Sequence, residues 1–225
     1  MKAMLLAAGR GSRMRPLTDA VPKPLLPVAG RPLIEHHVLR LRDAGFSDLV
    51  VNCAWLGEQI EAYLGSGARY GVRIAYSHEG QALETGGGIF RALPLLSATG
   101  REPFLVISTD VWTDYPLARL ADLHPARGHL VMVDNPEHLA QGDFCAGPDG
   151  LLRERGEGTR LTYSGLSVLH PDLFAGCVDG VFPLRPLFLR AMAEQLLNGE
   201  HYTGAWLDVG TPERLQMAER LAGAD

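Results

Sequence analysis

A chain of 225 residues, 46% hydrophobic and 21% charged, has ample apolar material for a core and reads as an ordinary globular protein. Its formal net charge of −5 argues against a general nucleic-acid binder, which carries a basic excess, but leaves room for small anionic substrates in a local cationic pocket. Three scattered cysteines (Cys53, Cys145, Cys177) argue against a disulfide framework or zinc site, and no apolar segment is long enough to span a bilayer, so a cytoplasmic protein without a membrane partner is expected.

In chain order, Lys2 to Ala7 reads as a buried strand. Its apolar run stops at Gly9 and is followed by Arg10, Arg13 and Arg15, too short and wrongly flanked for a secretory signal. Pro32 to Ala44 reads as a helix with Ile34, Val38 and Leu41 on one face and Gly45 as its stop. Next come a strand at Asp48 to Cys53, a helix at Gly57 to Leu64, a strand at Val72 to Tyr76 and a helix at Ile89 to Leu96. Phe104 to Ser108 is a further strand, followed by a helix near Leu117 to Leu123 and a strand at Leu130 to Val133. Such alternation predicts an α/β fold: a mixed, mostly parallel sheet with helices on both faces, binding ligands at the carboxyl ends of its strands.

After Asp134 short polar runs rich in glycine (Gly142, Gly147, Gly150, Gly156, Gly158) suggest hairpins. Helix returns at Leu184 to Leu197, and a last helix opens with Thr211 as N-cap and Pro212 at its first position. There is no repeat or linker, so residues 1–225 are expected to form one domain.

The strongest chemical signal is the segment from Leu5 to Leu33, where a strand runs into a loop holding Gly9, Gly11, Arg13, Arg15 and Lys23. Glycines let backbone N–H groups approach phosphate oxygens, and Pro16, Pro22, Pro24, Pro27 and Pro32 stiffen the loop that carries the cations. A dinucleotide fingerprint is not met, since Met14 stands where a third glycine belongs, and the P-loop pattern is missing. A structural turn with solvated arginines is the plain alternative. Lysine usage speaks against it: of 21 basic residues only Lys2 and Lys23 are lysines, and Lys23 lies in the middle of this loop, where a compact ammonium suits a phosphate. Asp110 follows the strand PFLVIS, and Asp208 lies in AWLDVGTPERL, both at strand ends where carboxylates can bind Mg²⁺ or merely cap a turn. In HEGQALETGGGIFRAL three glycines lead into a helix, an arrangement that can offer N–H groups to a base or phosphate.

The runs LAAGRGSRMRPLT and PKPLLPVAGRPLI resemble the signature of the sugar-1-phosphate nucleotidyltransferase family, and the resemblance covers most of the chain. It implies a Rossmann-like nucleotidyltransferase domain that uses Mg²⁺, a nucleoside triphosphate and a sugar 1-phosphate. Carried over, Leu6, Ala8, Gly9, Gly11 and Arg13 hold the triphosphate, and Lys23 bridges phosphates in the transition state. Asp110 and Asp208 bind the metal; Asn52, Glu79, Gly86 and Gly87 line the nucleobase pocket; Asp143 and Gly165 face the sugar. Arg13, Lys23 and Asp110 are the implied catalytic residues.

Two departures stand out. Thr109 replaces a glycine frequent before the aspartate, and the Glu-Lys-Pro lysine that often holds the sugar phosphate is missing from RERGEGTRLTYSG. Among subfamilies, LETGGGIF, STDVWTDY, VDNPEHLAQGDF and SGLSVLHPDLF are most similar to the uridylyltransferases that take UTP and N-acetylmuramic acid 1-phosphate in cell-wall recycling. The hexapeptide repeats of relatives with a β-helix are missing, and a monomer is expected. A mannose-1-phosphate guanylyltransferase and a non-catalytic sugar-nucleotide sensor are the competing readings.

Overall fold

The computed structural model describes residues 1–223. The chain begins with β1 (Lys2–Leu6), the short pair β2 (Pro27–Val28) and β3 (Arg31–Pro32), and α1 (Leu33–Asp43). It continues through β4 (Asp48–Cys53), α2 (Gly57–Leu64), β5 (Arg73–His78), α3 (Glu84–Leu96), β6 (Phe104–Ser108) and β7 (Val111–Thr113). The second half holds β8 (Gly128–Val133), β9 (Phe144–Ala146), β10 (Leu152–Arg153), β11 (Thr159–Leu169), α4 (Arg185–Ala193), β12 (Leu197–Tyr202), β13 (Trp206–Asp208) and α5 (Pro212–Ala222).

Nine strands form one sheet, ordered β10-β9-β11-β6-β1-β4-β5, with β8 paired to β11 and β12 to β8. The neighbours β6, β1, β4 and β5 are parallel, as the alternating pattern predicts, so their carboxyl ends share one edge. β11 runs antiparallel against β6, β8 and β9, which makes the sheet mixed. β1 is central and fully covered: Ala3 and Leu5 enter one apolar layer with Ile34, Val38 and Leu41 of α1, while Met4 enters the other with Ile89, Ala92 and Leu96 of α3. Successive strand residues point to opposite faces, so a run apolar at every position fits a strand buried on both.

Five elements differ from the sequence reading. α3 starts at Glu84 and takes the three glycines inside it, because the helix passes too close to its neighbours for side chains. A Cβ on Gly86 would lie 2.6 Å from the Phe182 ring, one on Gly87 2.1 Å from the Gly180 carbonyl, and one on Gly88 2.5 Å from Glu79. The stretch at Leu117 is a single 3-10 turn, Leu117–Leu120. α4 ends at Ala193, where Gln195 turns left-handed at φ 58°, and Leu197 opens the strand β12. The polar NGEHY stretch carries no alternating apolar signal because β12 lies at the sheet edge beside β8. Within the expected hairpin region β11 is an eleven-residue strand, and its register against β8 shifts between Tyr163 and Ser167 around Gly165 at φ 84°.

Candidate active site

A cavity of about 420 Å³, within the usual range for small-molecule sites, opens at the carboxyl ends of the parallel strands. One wall comes from the β1 end and the glycine loop: Leu6, Ala8, Gly9, Gly11, Ser12 and Arg13. The far wall comes from Asn52 at the end of β4, Glu79 after β5, and Ala82, Glu84 and Thr85 at the start of α3. A buried polar chain ties these walls together. Ala7 N–H donates to Asn52 Oδ1 at 2.8 Å, Asn52 Nδ2 donates to Glu79 Oε1 at 2.6 Å, and Leu83 N–H donates to Glu79 Oε2 at 2.9 Å. Asn52 and Glu79 are each 3% exposed, so this fully bonded chain fixes the spacing of strand ends and glycine loop. Gly11 takes a left-handed φ of 65°, and a Cβ there would stand 3.1 Å from Lys23 Cβ. The glycine thus lets the loop close onto the lysine. Arg13 lines the same cavity and has no carboxylate partner among the described residues.

Lys23 Nζ donates to Asp110 Oδ2 at 2.6 Å, and Ser108 Oγ donates to Oδ1 at 2.6 Å. Burial works to raise the Asp110 carboxyl; the Lys23 charge and the bonds from Lys23 and Ser108 outweigh it and hold the group below the ordinary carboxylate range. Thr109, the departure before this aspartate, spends its hydroxyl on the Leu6 carbonyl at 2.6 Å and so stitches β6 to β1. Asp208 ends β13, which pairs antiparallel with β7 so that Asp208 stands opposite Val111. Val209 N–H donates to the Asp110 carbonyl at 2.6 Å, so the two acid-bearing segments are joined through backbone. Asp208 accepts from Arg214 at 2.5 and 2.6 Å, and His138 Nε2 lies 3.1 Å from its Oδ1.

A second cavity, about 270 Å³, shares Leu6, Ser108 and Asp110 with the first. It is lined further by His138, Leu139, Asp143, Tyr163, Gly165, Trp206 and Asp208. Asp143 accepts from the Tyr163 N–H at 2.9 Å, and Trp206 Nε1 donates to the Ser164 carbonyl at 2.9 Å across the bulge. Gly165 is confined to glycine twice over, by its φ and by Ser108 Cβ, 3.0 Å from where its own Cβ would be.

The structure therefore brings Leu6, Ala8, Gly9, Gly11, Arg13, Lys23, Asn52, Glu79 and Asp110 around one cavity, and Asp110, Asp143, Gly165 and Asp208 around its neighbour. Gly86 and Gly87 fall outside both linings. They are buried in α3, and the Gly87 N–H is taken by the Phe182 carbonyl at 3.0 Å. The glycine run packs against its neighbours, and Ala82, Glu84 and Thr85 just before it line the cavity. His138, Arg214 and Ser108 escaped the sequence reading. His138 and Arg214 meet Asp208 only through the fold, from sites 70 and 6 positions away; the Ser108 hydroxyl, two residues before Asp110, could have been noticed.

The nucleotidyl transferase family model matches residues 2–142. Over 232 aligned positions the chain is 51% identical to the N-acetylmuramate alpha-1-phosphate uridylyltransferase of Neisseria meningitidis serogroup B, covering 100% of this chain and 99% of the relative. This chain belongs to the nucleotidyl transferase family. The protein of the same name from Caulobacter vibrioides is 40% identical over 99% of this chain and 97% of its own. A solved structure of a putative glucose-1-phosphate thymidylyltransferase from Bacillus anthracis, in complex with a sucrose, superposes with a TM-score of 0.84 at 21% identity and covers 99% of this chain and 95% of that one. It shares the fold.

Nucleotidyl transferases generally work with a divalent cation, and the donor set here suits one. Asp110 and Asp208 are oxygen donors that both line the second cavity, each already balanced by a cation, Lys23 or Arg214. Among the described residues no cluster of three or more His, Cys, Asp or Glu could hold a metal. Two carboxylates with the remaining positions left to water and phosphate suit a hard divalent cation rather than a closed protein cage.

Proposed function

We propose that this nucleotidyl transferase moves UMP from UTP to N-acetylmuramic acid 1-phosphate, giving UDP-N-acetylmuramic acid and pyrophosphate in peptidoglycan recycling. The observation that carries the reaction type is the pair of cavities meeting at Asp110, one bounded by the glycine loop, Arg13 and Lys23, the other by Asp143, Gly165 and Asp208. The sugar rests on the two relatives named above, which match this chain over nearly their whole length.

The glycine loop and Arg13 hold the triphosphate, and Asn52 and Glu79 set the wall against which the base lies. A phosphate oxygen of the acceptor attacks the α-phosphorus in line from the second cavity, and pyrophosphate leaves toward Arg13. Lys23 stands between the two and takes up charge in the transition state. Asp110 and Asp208 would hold Mg²⁺, and the ion would supply further charge neutralisation for the phosphates. No covalent intermediate is needed, so positioning and electrostatics carry the catalysis. On this reading the enzyme works in the cytoplasm, where UTP is available, and acts as a monomer.

The test is pyrophosphate release with Mg²⁺ and each of UTP, GTP, CTP and dTTP against N-acetylmuramic acid, N-acetylglucosamine, glucose and mannose 1-phosphates. Turnover is expected to be strongest with UTP and N-acetylmuramic acid 1-phosphate. Preference for another pair would keep the reaction type and overturn the substrate. Silence across the panel with nucleotide still bound would point to a sensor and overturn both.

A further inference from the structure

The acceptor-side cavity is acidic. Asp110, Asp143 and Asp208 line it, and His138 is the single basic side chain among its lining residues. An acceptor with only a phosphate finds Lys23 beside Asp110, on the first-cavity side of the shared wall, but one with a second anionic group placed elsewhere on the sugar faces carboxylates unless a donor answers it. His138 sits on the short turn Glu137–Leu139, with its side chain 45% exposed. Behind it stands Arg214, only 13% exposed, whose Nη1 lies 2.7 Å from His138 Nε2. Arg214 keeps its charge at every relevant pH. Among the described residues, Asp208 is the one carboxylate within ion-pair reach of either group. A guanidinium only donates, so Arg214 donates to His138 Nε2 and the imidazole's own N–H is on Nδ1. Leu139, next to the imidazole and 37% exposed, adds an apolar contact on the same wall.

We propose that His138, backed by Arg214, reads a carboxylate on the acceptor sugar and so selects sugar phosphates bearing one. This rests on the substrate proposed above. N-acetylmuramic acid differs from N-acetylglucosamine by a lactyl ether, which brings one carboxylate and one methyl group, and His138 with Leu139 offers a partner for each. The missing Glu-Lys-Pro lysine fits the same picture, since the basic side chain lining this cavity enters from the 134–143 loop, with Arg214 of α5 behind it.

The test uses the full chain and two product pairs. Isothermal titration compares UDP-N-acetylmuramic acid with UDP-N-acetylglucosamine, and pyrophosphate release compares the two corresponding sugar 1-phosphates with UTP. In the wild type the carboxylate-bearing member of each pair is expected to be favoured. His138→Ala is expected to lower that preference roughly 10- to 100-fold in Kd and in kcat/KM, the range for a lost hydrogen bond to a charged group. His138→Gln, which keeps an N–H donor, is expected to recover part of it, and unchanged Tm in both variants would show that the loop has not simply unfolded. Arg185, whose Nη1 lies 3.9 Å from Asp143 Oδ1, is the rival cation beside this cavity; equal losses on both members, no change on either, or collapse of the preference in Arg185→Gln instead would overturn the assignment. If the wild type makes UDP-N-acetylmuramic acid and His138→Ala keeps the preference, this inference alone falls. If the wild type favours the sugar without the carboxylate, the substrate reading falls first.

Discussion

On the function proposed above, Lys23 and Asp110 are the residues on which the chemistry turns, and their pairing shows how the fold holds two opposite charges together. A lysine 11% exposed on its side chain and an aspartate a third exposed would each be costly alone; together, with Ser108 on the second carboxylate oxygen, every charge has a partner. In the proposed reaction the substrate phosphates would compete with Asp110 for the ammonium. Lys23→Ala is expected to lower kcat/KM roughly 10²- to 10³-fold, the loss typical of removing one preorganised donor from a transition state. Far-UV circular dichroism should be unaltered, because the loop is held independently by Thr18 on the Gly11 carbonyl and by its own turns. A variant within threefold of wild type at saturating UTP would remove Lys23 from the reaction. Of the residues involved, Lys23 was legible in the sequence because lysine is so scarce. His138 and Arg214 were not, since each looks like an ordinary surface cation until the chain folds.

At the scale of elements, sequence patterns fixed what they could and failed where contacts overrule propensity. Asp48–Cys53, Gly57–Leu64 and Phe104–Ser108 form where periodicity placed them, because an apolar run or an amphipathic face needs only its own residues to be recognised. α3 is the opposite case. Three successive glycines cost a helix about 1 kcal/mol each relative to alanine, and the pattern therefore suggested a later start. The Gly180–Phe182 segment and the Asn52–Glu79 pair occupy the volume where side chains would stand. Gly87→Ala should accordingly reverse the usual helix preference. A stability loss of about 1–3 kcal/mol in urea denaturation is expected from overpacking against a carbonyl that cannot move freely. An unchanged or raised midpoint would mean that the 180–182 strap yields more readily than its bond to the Gly87 N–H implies.

Across the whole molecule, the parallel core and its binding edge were readable from the alternation of strand and helix, whereas the mixed half was not. β11 looked like loops because its glycine and serines mask a strand, and it is covered from both sides by β6 and β8. The global fold also carries one buried titratable group with a clear pH signature. His37 of α1 is 3% exposed, and burial, with Arg40 and His36 adding to it, pushes its pKa down to about 4. The unfolded chain, with an ordinary histidine near 6.5, takes up a proton at higher pH than the folded one, so stability present above pH 6.5 is lost as pH falls toward 4. Between pH 7.5 and 5 this group alone should lower unfolding free energy by about 2 kcal/mol. In His37→Leu that part of the pH slope should vanish; the same slope in both proteins would assign acid sensitivity to other groups.

The near-exclusion of lysine from this chain has a practical side. Lys2 is hydrogen-bonded to the Leu95 carbonyl at the far end of β1, and Lys23 lines the first cavity, where phosphates are proposed to bind. An amine-directed acylating reagent therefore meets, besides the chain's own amino terminus, just two side chains, one of them lodged where substrate phosphates compete for it. Peptide mass spectrometry could follow Lys23 as a single reporter, its labelling suppressed in step with nucleotide occupancy and Lys2 serving as the internal standard.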